Sequence, residues 1–206
     1  MFGPRFARHL ARRYGKRGLD RTASRMVDFL TQQGIDGCTV LEIGGGVGDI
    51  QLELLRRGAS HATNLELSSA YDDEAMRLIS ESGVSNHVTR RIVDIAATPE
   101  DVEPADVVVL HRVVCCYPDF ERLLTAAANH ARRLLVFSHP PRNVVSRAAF
   151  MAQNLLFRLS GKSFRAFTHP PEEMSAVLER NGLEVMVRPP SLWWQVVGLE
   201  RPAQTS

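Results

Sequence analysis

The stretch from Val40 to Leu55, VLEIGGGVGDIQLELL, joins an apolar run to a helix-like run through four glycines in five positions. Glycine loses more conformational freedom on folding than any other residue, so four at one bend demand a reason. A strand that ends in such a loop and reopens as a helix puts the loop outside the strand's carboxyl end, where open α/β sheets bind ligands. Glycines at 44, 46 and 48 let the backbone turn sharply and let a ligand lie against it, and the helix beginning near Asp49 offers free N–H groups. A glycine-rich turn that binds nothing is the plain alternative.

From residue 38 onward, strand-like runs alternate with helical ones. Strands are predicted at 38–43, 61–66, 87–94, 105–111 and 133–138, with helices at 49–57, 69–82 and 119–131 between them. Such alternation implies crossover units and a mainly parallel sheet with helices on both faces. The segment 143–161 then reads as one long helix with a broad apolar face, and 169–183 as a helix that starts at prolines and stops at Asn-Gly. LEVMVRPP and LWWQVVGLER read as two closing strands joined by a Pro-Pro-Ser turn, a connection short enough to require an antiparallel pair.

A dinucleotide site of the G-x-G-x-x-G type needs its third glycine at residue 49, which here is Asp49, a poor neighbour for a pyrophosphate at a helix start. The spacing is instead Glu42-x-Gly44-x-Gly46-x-Gly48, with Gly45 inside it. It resembles motif I of class I S-adenosylmethionine (SAM)-dependent methyltransferases, a cofactor without phosphate. Glu66 follows at the end of the second strand and Asp94 at the end of the third.

The resemblance extends over residues 20 to 200 and implies a single Rossmann-like domain over 1–206, with a seven-stranded mainly parallel sheet and an antiparallel C-terminal hairpin. Within it, 1–36 reads as a helical cap, 37–139 as the SAM-binding core, 140–170 as a helical lid, and 171–206 as the C-terminal helix and hairpin. The implied roles are specific. Glu42, Gly44, Gly45, Gly46 and Gly48 hold the methionine part of the cofactor, and Glu66, followed by Leu67, grips the ribose hydroxyls. Asp94 accepts from the adenine amino group, and Ile95 packs near the ring. His111 and Arg112, after the fourth strand, line the same pocket. LHRVVCCYPDFERLL carries Cys115 and Cys116 where the family pattern has paired histidines. Together with Tyr14-x-x-x-Gly18 and the late F-R-x-F-x-H-P-P, it is similar to magnesium-protoporphyrin O-methyltransferase-like proteins.

Transfer of a methyl group needs two reactants held in line away from water, and a general base only for some acceptors. Candidates for a base at the strand ends are His111, Tyr117 and His139; each also has a plain structural role available. His169 reads as a helix cap. The helix 143–161 and the N-terminal helix are expected to close over the methyl group. Phe150, Met151, Leu155 and Leu156 would suit an apolar acceptor, and Arg142, Arg147, Arg158 and Arg165 an acidic one. The expected partner is therefore a small hydrophobic or acidic organic molecule.

Charge and cysteine content narrow the rest. Residues 1–21 hold seven of the 25 Arg/Lys and one of the 23 Asp/Glu. This basic arm suits nucleic acid, anionic lipid or an acidic substrate, or it is the solvated face of an amphipathic helix. No N/D-P-P-[YFW] motif occupies the fourth strand, which argues against a nucleic-acid methyltransferase; a SAM-binding protein without catalysis is the other alternative. No apolar run reaches the ~18 residues of a membrane span. Three cysteines without zinc-ligand spacing predict free thiols, no metal site and a reducing, cytoplasmic setting. The oligomeric state is not legible.

Overall fold

Strand pairing builds the molecule around that loop. The computed structural model describes residues 3–160, 165–188 and 194–203. Its strands are β1 (Thr39–Ile43), β2 (His61–Glu66), β3 (Val88–Ile92), β4 (Ala105–Leu110), β5 (Ala131–His139), β6 (Glu184–Val187) and β7 (Gln195–Glu200). They form one sheet in the order β3-β2-β1-β4-β5-β7-β6. The first five are parallel, and β7 runs antiparallel to both β5 and β6. The chain order reverses between β1 and β4, so the loops after these two strands diverge and leave a crevice.

Neighbouring strand residues explain the two-sided burial. Val40, Val107 and Val136 face α2 (Arg21–Gln32) and α3 (Asp49–Arg56), where Met26, Leu30, Ile50 and Leu54 cover them. Leu41, Val108 and Phe137, one residue further along each strand, face α5 (Phe120–His130) and α7 (Pro171–Arg180). Successive strand side chains point to opposite faces, so a sheet covered on both sides reads as continuous apolar runs. A third cluster joins Ala7, Ala11 and Tyr14 of α1 (Pro4–Arg17) to Val47 of the glycine loop, Leu52 and Tyr71. The 3-10 turn Ser69–Tyr71 leads from there into α4 (Asp72–Glu81).

The N-terminal segment is therefore more than a cap. α2 lies within the core of the sheet, with Met26, Val27 and Leu30 fully buried, each worth ~1.5–3 kcal/mol of burial. The amphipathic reading of α1 holds: Ala7, Ala11 and Tyr14 point inward while Arg5, Arg8, Arg12 and Lys16 are exposed.

Element ends depart from the expected ones for local reasons. β3 stops at Ile92, so Asp94 lies beyond the strand rather than at its end. There the Asp94 carboxylate accepts from the Ala96 amide at 3.0 Å and its carbonyl from the Ala97 amide at 2.9 Å, turning the chain away. β5 begins at Ala131, directly after α5 ends. The long helix is α6 (Val144–Leu159), started by Asn143, whose side chain accepts from the Ser146 amide at 2.8 Å. Its expected end at residue 161, and the Pro-Pro-Ser turn with Trp193, lie outside the described residues.

Candidate functional site

Each glycine of the loop answers a different demand. A Cβ built on Gly44 would stand 2.5 Å from Val113 Cγ2, and on Gly45, 2.2 Å from the Asn64 amide nitrogen. These two are glycine because neighbouring side chains fill the space. Gly48 has φ +80° and opens α3, with Gln51 against it. Only Gly46, at φ +54°, faces open space, its nearest neighbour being the Tyr71 ring at 3.8 Å. Of the three glycines expected to allow a close approach, Gly46 is the one whose Cβ direction is open.

That open space belongs to the larger of two adjoining cavities, of about 230 and about 300 Å³, at the carboxyl ends of the strands. Gly44, Glu66, Tyr71, Arg112 and Cys116 border both. The smaller continues past Leu67 and Ser68 to Val93, Asp94, Ile95 and Tyr117. The larger runs over Gly45, Gly46 and Asp49 to His111, and is walled by Phe6 and Leu10 of α1, Phe150 and Gln153 of α6, and Trp194.

Glu66 ties the crevice together. Its Oε2 accepts from the Gly46 amide at 3.0 Å, and its Oε1 from the Leu67 and Ser68 amides at 2.8 and 3.2 Å. Asp94 accepts from the Tyr117 hydroxyl at 3.0 and 3.2 Å. Burial, followed by this bond to Asp94, pushes the Tyr117 pKa up to about 12, so its proton stays in place at neutral pH. Leu67 is partly solvent-exposed beside Glu66, whereas Ile95 is buried beneath Asp94.

Glu42 lies beneath the loop, fully buried, accepting from the Gln51 amide at 3.3 Å and the Asn64 amide at 3.4 Å. Burial, with the Asp49 carboxylate adding to it, raises its pKa well above the ordinary range. A raised carboxyl pKa costs stability once pH rises through it and nothing below the unfolded value of about 4.3. Glu42→Gln is therefore expected to melt higher than wild type at pH 8 without cofactor, and the gain should shrink as pH falls towards 5. Each unit of displacement is worth about 1.4 kcal/mol, or roughly 2–4 °C per kcal/mol in a chain of this size. Melting curves across that range check it; a pH-independent difference would assign the effect to packing instead.

His111 and Arg112 follow β4 and are held by one hydroxyl. Ser138 Oγ of β5 accepts from the Arg112 amide at 3.0 Å and lies 3.0 Å from His111 Nδ1. Arg112 has φ 59°, the one non-glycine residue with positive φ among the described residues. Its guanidinium lies 2.8 Å from Asp20 and 4.9 Å from the Trp194 ring, while its buried Nε has no partner among the described residues. Asp20 also pairs with Arg13 at 3.3 Å and faces His111 Nε2 at 3.8 Å. Burial acts to raise the Asp20 pKa, but His111, the Ala23 amide and Arg112 outweigh it and hold the carboxyl far below the usual range.

Asp20 is the residue that sequence reasoning missed. It stood out only as the single acid of a basic arm, and its signal is a helix-capping position two residues after Gly18. The other expected residues sort by place. His139 is buried outside both cavities, its Nδ1 3.0 Å from the Pro140 carbonyl, and burial lowers its pKa. His169 is no helix cap: its Nε2 lies 3.0 Å from the Tyr117 carbonyl, and the N-cap of α7 is Pro170. Met151, Leu155 and Leu156 point outward from α6, and only Phe150 of the four expected apolar residues reaches the cavity. Cys115 and Cys116 are free thiols with sulfurs 3.7 Å apart.

The family model described as Methyltransferase domain matches residues 6–187. No curated protein sequence matches the chain. Among solved structures, the magnesium protoporphyrin IX methyltransferase of Synechocystis PCC 6803 with bound SAH is similar, with a TM-score of 0.70 and 20% identity over 88% of this chain and 83% of that one. An O-methyltransferase family protein of Burkholderia thailandensis gives 0.72 and 20% over 91% of this chain and 58% of that one. An O-methyltransferase family 2 protein of Planctomyces limnophilus DSM 3776, in complex with apigenin, gives 0.72 and 19% over 98% and 62%. These likenesses establish the fold, and the family model spans most of the sequence: the chain belongs to the methyltransferase-domain family and is a SAM-dependent methyltransferase.

Proposed function

We propose that the smaller cavity holds the adenosine part of SAM, and that the larger one brings its methyl group to a small apolar organic acceptor carrying an ionisable oxygen. The observation that carries this reading is the continuity of the two cavities across Gly44 and Glu66, which border both. The residues present suit the cofactor: Gly46 leaves room for a ligand against its backbone, and Arg112 Nε is a buried donor awaiting an acceptor. Glu66 offers two acceptor oxygens to adjacent hydroxyls, and Asp94, oriented by Tyr117, offers one to an amino group. Ile95 supplies the apolar floor. Glu42 and Gly48 shape the loop from beneath.

When bound, SAM supplies an electrophilic methyl group. The chain supplies alignment and dryness: Phe6, Leu10, Phe150 and Trp194 exclude water from around the acceptor oxygen. His111 is the base this geometry favours. Its Nδ1 faces Ser138, leaving Nε2 to take the acceptor proton, and the resulting imidazolium faces the Asp20 carboxylate. The apolar half of the expected acceptor class has the stronger support. Both arginines of the larger cavity, Arg13 and Arg112, already pair with Asp20, and Arg142 and Arg147 lie outside it.

Calorimetry is expected to show binding of SAM and its demethylated product but not of NAD. Labelled-methyl transfer to a panel of phenols and apolar acids should then identify the acceptor. His111→Ala should lower kcat by about 10²–10⁴-fold, the usual contribution of a general base, with SAM affinity kept. A variant that turns over at the full rate would remove His111 from the proton transfer. Transfer to RNA instead, with activity falling as salt rises, would replace the acceptor class.

A further inference from the structure

α6 turns its most apolar side away from the protein. Val144, Ala148, Met151, Leu155 and Leu159 recur at spacings of three and four and form one stripe, with Val145, Ala152 and Leu156 beside it. Val144 is 82% exposed, Met151 72% and Leu159 76%, and no residue of this helix is buried. A contiguous exposed stripe of this kind marks an interaction surface. Its inner side is different: Phe150 and Gln153 roof the larger cavity, and Asn154 exchanges two 2.8 Å hydrogen bonds with the Ala166 backbone.

Charge identifies the occupant. Between residues 142 and 165 the sequence has five Arg/Lys (Arg142, Arg147, Arg158, Lys162 and Arg165) and no Asp or Glu. Arg147 and Arg158, eleven residues and so three turns apart, flank the apolar stripe on one edge. At the amino end of α6, Arg142, Arg147 and Arg188 border an open recess of about 630 Å³, together with Glu172 and His139. A second copy of the chain is a poor match, because a two-fold contact through this stripe would bring no acidic residue of 142–165 to the arginines. An anionic lipid surface satisfies both features: acyl chains receive the stripe, and phosphate headgroups receive the arginines.

We propose that the outer face of α6 docks the protein on an anionic phospholipid bilayer, bringing the larger cavity, roofed by the same helix, to the membrane surface. The acceptor is then a membrane-soluble amphiphile that reaches the cavity from the lipid. This last step rests on reading that cavity as the acceptor site; the docking itself does not. Long arginine side chains at the edge of an interfacial helix can extend to the headgroups while their stems lie along the apolar stripe.

Sedimentation with sucrose-loaded vesicles tests it, using phosphatidylcholine alone and phosphatidylcholine with about one third phosphatidylserine. The wild-type protein is expected to partition at least about tenfold more strongly onto the anionic vesicles. The double variant Leu155→Glu/Leu156→Glu should lose that binding while its SAM affinity by calorimetry is unchanged, which also shows that it folds. Arg147→Glu/Arg158→Glu should remove the preference for anionic lipid. Equal partition of the wild-type protein and the leucine variant, or none by the wild type, overturns the docking. So does a wild-type dimer that the leucine variant dissolves in the absence of lipid. Vesicle binding without SAM binding would instead sink the cofactor reading and leave the docking standing.

Discussion

A Gly46→Val protein is expected to give no heat of SAM binding while remaining folded. The Cβ direction at this residue points into the cavity and meets nothing closer than Tyr71 at 3.8 Å, so the isopropyl group would occupy the ligand's volume. The fold should tolerate it at a cost. A left-handed backbone angle costs an L-residue roughly 1–2 kcal/mol, and more for a branched one, so a fall in melting temperature of several degrees is anticipated. Gly46→Ala separates the two effects, because it carries the backbone cost with a smaller obstruction and should retain weakened binding. If the valine variant is unfolded at room temperature, the glycine serves the fold. If it binds SAM normally, the cavity has been assigned to the wrong ligand.

Glu66→Ala is expected to be the second most damaging change. In the proposed ribose role, losing this carboxylate removes two charge-assisted bonds of about 1.5–3 kcal/mol each before compensation. Affinity should fall by about a hundredfold or more, since ~1.4 kcal/mol is a factor of ten. The same carboxylate receives the Gly46, Leu67 and Ser68 amides, so the alanine variant also frees the loop. Glu66→Gln keeps an acceptor oxygen and should fall between the two. Titration of all three proteins beside their melting curves distinguishes the contributions: affinity lost with little change in melting supports the ribose role. Undiminished affinity in the alanine variant rules that role out.

The structure changes how the N-terminal arm can be tested. If the N-terminal helix served only to close over the methyl group, deleting residues 1–18 would leave SAM binding nearly intact and impair turnover. Ala7, Ala11 and Tyr14, however, cover Val47 of the glycine loop and Tyr71, and the Tyr14 hydroxyl accepts from Arg56 at 2.7 Å. Removing α1 would expose this cluster and disturb the loop, so truncation cannot separate acceptor from cofactor. Substitution of Phe6 or Leu10, which border only the larger cavity, is the cleaner probe.

The sequence by itself determined whatever depends on near neighbours along the chain. Apolar runs of strand length alternating with amphipathic helices specified the parallel sheet, because burial on both faces leaves that pattern in any order of strands. The glycine loop, Glu66 and Asp94 were legible for the same reason: each sits within a few residues of a strand end, and the ends of neighbouring parallel strands converge. Tertiary structure alone decided which glycine has open space in front of it, since Val113, from the loop after β4, and Asn64, from β2, fill the space at Gly44 and Gly45. It also brought Asp20, a helix cap by its local sequence, against His111 and Arg112. The broad apolar character of α6 was plain in the sequence, but its direction was not. A helix apolar around most of its circumference specifies burial without a side, and only the packing of Phe150, Gln153 and Asn154 toward the protein leaves Met151, Leu155 and Leu159 facing outward.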